Sequence, residues 1–355
     1  TSTLMSFTMT IFFIFMAIGI LILGPMSDKY GRKPVLIASI SISMIFSAAC
    51  AFMPNITLLI TARAASAFGA GGMVAISTAL IKDSYEGKEM SKVLSVTQAF
   101  MLIAPMLAPV LGAIILKVAD WKMTFIVLAI LTGVSLVGTF LLQETLPVKE
   151  RTQSSTIQTI LGLRKVAKNP NFSSLLLVGA LIAAPFMAYL ALASYIYIDG
   201  FGVSETTFSM YFALNAGASI LGPVMYMRFG AGSVKKVISA GIMVAIISAI
   251  LILTIGNASP IIFLLSYVLY SIMTSYFRPL ISDLLLSATK TDVGATSSVM
   301  NFVFTVIGSI GMVVGSLHWS SYTGGLGITM LIFIALTTAV WLYLLKARSI
   351  QFDWK

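Results

Sequence analysis

Apolar residues in this chain come in long blocks rather than in alternation. Eleven blocks, at roughly 3–24, 34–54, 57–81, 93–117, 122–143, 172–198, 206–228, 234–256, 259–287, 294–317 and 324–346, approach or exceed the ~20 residues a helix needs to cross a bilayer. A membrane barrel would show shorter segments of alternating polarity. The pattern therefore predicts an all-α polytopic membrane protein. The longest polar stretch, ETLPVKERTQSSTIQTILGLRKVAKNPN at 144–171, separates five helices from six. It divides the chain into an N-terminal bundle at 1–143, a cytoplasmic linker at 144–171, a C-terminal bundle at 172–346 and a cytoplasmic tail at 347–355.

Composition agrees, with 58% hydrophobic and only 10% charged residues over 355 positions, against about 25% charged in a soluble domain. The net charge of +10 raises nucleic acid as a partner until the cations are placed. If the turn after the first helix is cytoplasmic, eighteen of the 22 Lys and Arg residues fall on that side. Lys117 and Lys122 fall opposite, and Arg63 and Arg278 lie within helices. This is the positive-inside distribution, so the basic balance reflects topology and anionic lipid. It predicts no nucleic-acid partner and a multi-pass protein of the cell inner (cytoplasmic) membrane. Cys50 has no cysteine to pair with, and His318 is the sole histidine, so no histidine-cluster metal site is expected. No Gly-x-x-x-x-Gly-Lys-(Ser/Thr) sequence occurs. Paired intramembrane acids, a Ser/His set and a filter loop are also missing, which argues against an enzyme or a channel.

The halves echo each other. GPMSDKYGRKPVLI from Gly24 parallels GPVMYMRFGAGSVKKVI from Gly222, LIKD ending at Asp83 parallels LISD ending at Asp283, and Gly112 parallels Gly315. An internal repeat of about 200 residues, such as transporters carry, leaves the helix at 172–198 without a counterpart. One helix is therefore expected upstream of Thr1, with eleven of twelve present here. A cleaved signal sequence at 3–24 is the alternative, but that segment lacks a basic leading region.

GPMSDKYGRKP, through Gly24, Asp28, Lys29, Gly31, Arg32 and Lys33, resembles motif A of the major facilitator superfamily. RAASAFGAGG, with Arg63, resembles motif B, except that Ser66 stands where a glutamine is usual. APMLAPVLGAIILKVADWKMTF, with Ala104, Pro105, Ala108, Pro109 and Gly112, resembles motif C of the drug–proton antiporters. Its particular form is similar to the bicyclomycin/chloramphenicol-resistance (Bcr/CflA-like) branch, and the ETLP that follows is in keeping. The resemblance implies two six-helix bundles and proton-coupled multidrug efflux by alternating access. It implies a small-molecule substrate and protons as partners, a monomer, and no cofactor beyond the proton gradient. A sugar or nucleoside exporter, or an inactive truncated fragment, remains the alternative.

Each motif also has a plainer reading. Asp28 lies at a helix end whose own dipole does not favour a carboxylate. It suits the start of another helix, near Gly294, and would act there as a conformational latch, with Arg32 paired to Asp83. A cation cluster that only sets topology would explain the basic residues but not Asp28. Tyr226 replaces that aspartate in the second half, so the latch is expected on one side alone. An intramembrane arginine such as Arg63 costs ~3 kcal/mol or more and marks function, unless it snorkels to the headgroups. No acid in the chain lies at its depth, so its expected partner is on the upstream helix. Arg278 and Asp283, beside Pro279, are explained by local pairing or snorkelling. The prolines and small residues of motif C form a hinge or seal, or pack a neighbouring helix closely. For the substrate cavity we take Ser66, Ala70, Met73 and Ser77 from the face of Arg63, and Tyr189, Tyr211, Asn215, Tyr270, Asn301 and Phe304 from the second half. Trp121 and Trp319 suit interfacial anchors.

Overall fold

A computed structural model of the chain describes residues 2–151, 170–230, 232–287, 293–317 and 319–346. The described residues are helical apart from short turns: α1 (Ser2–Tyr30), α2 (Arg32–Cys50), α3 (Ile56–Ser84), α4 (Gly87–Leu116), α5 (Trp121–Leu141), α6 (Pro170–Ser194), α7 (Glu205–Ser219), α8 (Leu221–Phe229), α9 (Val234–Thr254), α10 (Pro260–Ser287), α11 (Val293–Gly315) and α12 (Tyr322–Lys346). Ten segments among the described residues are long and apolar enough to cross a membrane. Most of the linker, His318 and the tail lie outside the described residues.

Three helix ends differ from the sequence expectation, each for a local reason. α1 runs through the motif to Tyr30, and the turn narrows to Gly31, whose φ of 105° is a left-handed conformation that favours glycine. The span expected at 206–228 is broken at Ile220 into α7 and α8. Pro223 offers no N–H to the carbonyl of Ser219, one turn back. α6 ends in a π-helical turn over Tyr195–Gly200, a rare geometry that recurs at functional sites.

The chain separates into two compact units. The first takes Thr1–Met90, Ile115–Asn169 and Leu286–Val306, and the second takes Ser91–Ile114, Pro170–Leu285 and Ile307–Lys355. In the first unit α1 and α2 both pack on α3, whose small residues admit them. A side chain at Gly71 would strike the Met16 carbonyl of α1, and one at Gly69 the Ser39 and Ser43 backbone of α2. Such small-residue contacts drive helix association where no hydrophobic force acts. Leu23, Val35, Leu36, Ile40 and Ile76 form the core between these helices, with Phe68 and Met73 against it. In the second unit α6 packs on α12 through Leu181, Ala184 and Phe333. Gly311 and Gly315 of α11 meet Ala184 and Ala188 of α6 closely enough that neither has room for a side chain.

Helix ends in the first unit exchange caps. Gly31 has no side chain to cap α2, and Glu144 supplies the carboxylate instead. It accepts the Arg32 N–H at 2.9 Å, the Lys33 N–H at 3.2 Å and the Leu146 N–H at 3.1 Å. Negative charge there also meets the positive end of the helix dipole. In return the Lys33 ammonium donates to the Phe140 carbonyl at 2.8 Å, in the last turn of α5. Glu144→Ala should therefore lower stability by about 1–2 kcal/mol, read as a lower unfolding temperature in detergent. An unchanged midpoint would show that water replaces the carboxylate without loss.

Candidate functional site

At the foot of the first unit α1, α2 and α3 converge on Arg32, which is 2% exposed. Its Nε donates to Asp83 Oδ2 at 2.8 Å, and its Nη1 donates to Asp28 Oδ1 at 2.5 Å and to the Ser27 hydroxyl at 2.8 Å. Asp83 also accepts from the Thr145 hydroxyl at 3.4 Å. Next to it, Lys82 donates to the Leu286 carbonyl at 2.5 Å. The first half of α11 is seated on the same unit. Gly24 of α1 lies so close to Ser298 that a Cβ would collide with its hydroxyl, and the Asn301 amide donates to the Thr78 hydroxyl at 3.3 Å. Asp28 is one turn below Gly24, and Gly294 is one turn before Ser298. α1 and α11 therefore bring the carboxylate helix end and the α11 start to the same level.

Arg63 sits in the eighth position of α3. Its guanidinium carbon lies 5.5 Å from the centre of the Phe12 ring and 5.6 Å from that of Phe125. Two π-faces thus flank the cation at distances where such contacts are attractive. Its Nε is buried without a hydrogen-bond partner among the described residues. Aromatic faces stabilise a buried cation without satisfying its donors, so one side of Arg63 is left ready for an acceptor.

The cavity residues taken from α3 point in different directions. Ser66 is buried against α2, its hydroxyl 2.8 Å from that of Ser47, and Met73 packs on the apolar core of the unit. Ala70 and Ser77 are half-buried. Asn301 is held by Thr78, and Phe304 is 7% exposed. The side chains of Pro105 and Pro109 lie outside the described residues. Ala104 and Ala108 are exposed, and a Cβ on Gly112 would meet no described atom. Among the described positions of motif C, Gly112 is therefore open, whereas its repeat partner Gly315 is closely packed. Trp121 is 45% exposed, and the Trp319 indole donates to the Val314 carbonyl at 3.1 Å.

In the second unit the sequence choices Tyr189, Tyr211 and Asn215 come together in an aromatic cluster. Tyr189 of α6 stacks on Tyr267 of α10 at 4.0 Å between ring centres and on Phe212 of α7 at 5.4 Å. Tyr211 stacks on Tyr197, in the π-turn, at 5.2 Å. Asn215 follows Phe212 and Tyr211 by one turn and so shares their face. Tyr270 stands at the edge, donating to the Ile182 carbonyl at 2.5 Å. The hydroxyls of Tyr189, Tyr197 and Tyr267 and both amide atoms of Asn215 are buried with no hydrogen-bond partner among the described residues. Leaving such a group unsatisfied costs about 1–3 kcal/mol, so these five groups on four neighbouring side chains mark a place suited to an incoming ligand or water. Sequence reading missed Tyr197 and Tyr267, because periodicity alone cannot tell a clustered aromatic from a lipid-facing one.

Asp283, which the sequence reading assigned to local pairing or snorkelling with Arg278, also gathers partners from other helices. Asp283 Oδ2 accepts from the Tyr226 hydroxyl of α8 and from the Ser91 hydroxyl of α4, both at 2.7 Å. The tyrosine that replaces aspartate in the second half is thus joined to the repeat partner of Asp83. Ser91 is the residue at which the chain passes from the first unit to the second. Arg278 is half-buried on the same helix, five residues before Asp283.

A profile of the Major Facilitator Superfamily matches residues 1–312. The chain is 32% identical over 259 residues to an uncharacterized MFS-type transporter, YdgK, of Bacillus subtilis, covering 72% of this chain and 64% of that protein. The chain thus spans less than two thirds of that relative's length. It is 25% identical over 312 residues to the multidrug resistance protein MdtM of Escherichia coli O157:H7, covering 86% of this chain and 75% of that one. Among solved structures, the human organic anion transporter MFSD10 (TETRAN) superposes with a TM-score of 0.74 at 20% identity, over 94% of this chain and 83% of that one. At that identity the likeness concerns the fold alone.

Removing Arg32 should do more harm than removing either acid. Arg32→Met leaves Asp28 and Asp83 facing each other without a cation, and breaking a buried pair in this way costs about 3–5 kcal/mol. The double variant that adds Asp83→Asn should recover part of the loss. Unfolding temperatures in detergent measure both, and an Arg32→Met protein as stable as the parent would refute the network.

Proposed function

The chain belongs to the Major Facilitator Superfamily, and we propose that it is a proton-coupled exporter of small aromatic or amphipathic compounds in the bicyclomycin/chloramphenicol-resistance (Bcr/CflA-like) branch. The superfamily's members are transporters, not enzymes, and this chain is a multi-pass membrane protein. The observation that carries the finer reading is the aromatic cluster of the second unit. Its stacked faces and unpaired neutral donors suit a flat, uncharged or delocalised solute rather than a simple ion. A relative named as a multidrug resistance protein supports drug export in general.

In this reading the protein works by alternating access, with bundles at 1–143 and 172–346 joined by the linker at 144–171. The inner membrane is its location and the monomer its working form. Arg63 controls proton affinity. A carboxylate beside its unpaired Nε would be held ionised and would be released from that hold on taking a proton. Arg32, with Asp28 and Asp83, sets the foot of the first unit. Asp28, level with the start of α11, stabilises the conformation in which that helix end is seated on α1. Lys33 acts through its cap on α5, Gly24 through close approach and Gly31 through the turn. Ala104, Pro105, Ala108, Pro109 and Gly112 are assigned to a hinge or seal. A sugar or nucleoside exporter is the second reading, favoured by Asn215, whose free donor and acceptor suit a hydroxyl-bearing ring.

Everted vesicles with an acidified lumen test the function. Chloramphenicol-type, bicyclomycin-type and lipophilic cationic drugs should each release protons, and sugars and nucleosides should not. The reverse pattern would select the second reading. Arg63→Gln should abolish drug-driven release while the protein still folds. Tyr189→Phe and Asn215→Ala should each raise the half-saturating drug concentration about tenfold, the equivalent of one hydrogen bond, with little change in maximal rate. Asp28→Asn should broaden the spin-label distance distribution between α1 and the start of α11. If that distribution and the transport rate both stay as they were, Asp28 is not a latch.

A further inference from the structure

The second unit carries an apolar groove of about 450 Å³, within the range of about 300–1,000 Å³ common to small-molecule sites. None of its lining residues belongs to the aromatic cluster or to the motif positions. Met225 and Phe229 of α8 form one wall, and Leu269 and Met273 of α10 form another. The third is a stripe of α9 spaced as one helical face, Val237, Ala240, Gly241 and Val244. At Gly241 any side chain would collide with the Phe277 ring, so the missing Cβ sets the width of the groove. Large apolar side chains are open along it, with Phe229 at 67% and Leu269 at 41% exposure.

One end of the groove is chemically distinct. The Arg228 guanidinium lies 6.0 Å from the centre of the Phe229 ring, a lining residue. Lys236 is exposed and one turn before Ala240, on the same stripe of α9. Tyr276 closes this end by donating to the Gly230 carbonyl at 2.6 Å. No acidic residue occurs from Val224 to Val244, so Arg228, Lys235 and Lys236 are uncompensated by sequence neighbours. By the cation distribution this end faces the cytoplasmic leaflet, where anionic lipids concentrate.

We propose that this groove is a resident site for one anionic glycerophospholipid. An acyl chain lies along Met225, Val244, Leu269 and Met273, and the phosphodiester is held by Arg228 and Lys236. An apolar trough with cations at a single end matches a molecule with an apolar tail and an anionic head. A second copy of the chain fits less well, because a two-fold interface through this face would bring like charges towards each other.

The test is native mass spectrometry of the full chain. The protein is equilibrated with vesicles of equal phosphatidylglycerol and phosphatidylcholine content and then extracted in mild detergent. The parent should retain one phosphatidylglycerol, at least about tenfold over phosphatidylcholine. Ala240→Trp and Val244→Trp each fill the trough and should lose it. Val134→Trp, on a 65% exposed position of α5, should keep it. Arg228→Gln with Lys236→Gln should still hold a lipid but lose about tenfold or more in preference for the anionic head. Equal retention of the two lipids by the parent would overturn the proposal. So would tryptophan variants that still hold phosphatidylglycerol, or dimers that the tryptophan variants abolish. If the tryptophan variants fail to fold, the charge variant decides: an unchanged preference overturns the site.

Discussion

Arg32 is 2% exposed and carries a full charge at the foot of its unit, where its donors are met by Asp28, Asp83 and the Ser27 hydroxyl. A guanidinium removed from water is tolerable only in such company. Its neighbours are constrained in turn. Asp28 closes α1, Asp83 closes α3, and Arg32 opens α2, so one side chain sets the relative positions of three helix ends. Glu144 then holds the backbone of the same residue, and Lys33 holds the end of α5. Electrostatics at this one place therefore decides how the spans of the unit meet, while the small residues of α3 decide how closely.

The second unit has an acidic centre of its own. Asp283 takes the place of Asp83 in the repeat, and it accepts from the hydroxyls of Tyr226 and Ser91. Above it the interior is aromatic and neutral. Stacked rings supply dispersion and burial, and their unpaired hydroxyls hold back hydrogen-bonding capacity that the fold itself does not use. The foot of the first unit thus commits its polar groups to structure, whereas Arg63 and the aromatic cluster of the second unit keep donors uncommitted. That division fits a transporter in which recognition and conformational control reside in different places.

How much of this could be read from residues alone depended on what each signal measures. Block length and cation placement report the local free energy of putting a segment in a bilayer. They indicated the helical class and most of the spans, of which ten are long and apolar enough to cross a membrane among the described residues. The break at Ile220 was legible in principle from Gly222–Pro223, since proline removes a specific hydrogen bond. The cavity was another matter. Ser66 shares a helical face with Arg63 by spacing, yet its hydroxyl turns to Ser47, because a buried hydroxyl goes to the nearest acceptor whatever its periodicity.

Sequence by itself determined an all-helical, membrane-embedded chain, a motif-bearing turn at Gly31 and the residues able to carry charge inside it. These follow from propensities and transfer energies that act over a few neighbouring positions. Only the tertiary structure decided the partners. Nothing in the chain order predicts that Glu144 caps a helix more than a hundred residues earlier, or that Asp283 reaches Ser91. Nor does it predict that Arg63 lies between Phe12 and Phe125. Hydrogen bonds and π-contacts act over a few ångströms, and which groups come within that distance is set by helix packing rather than by separation along the chain.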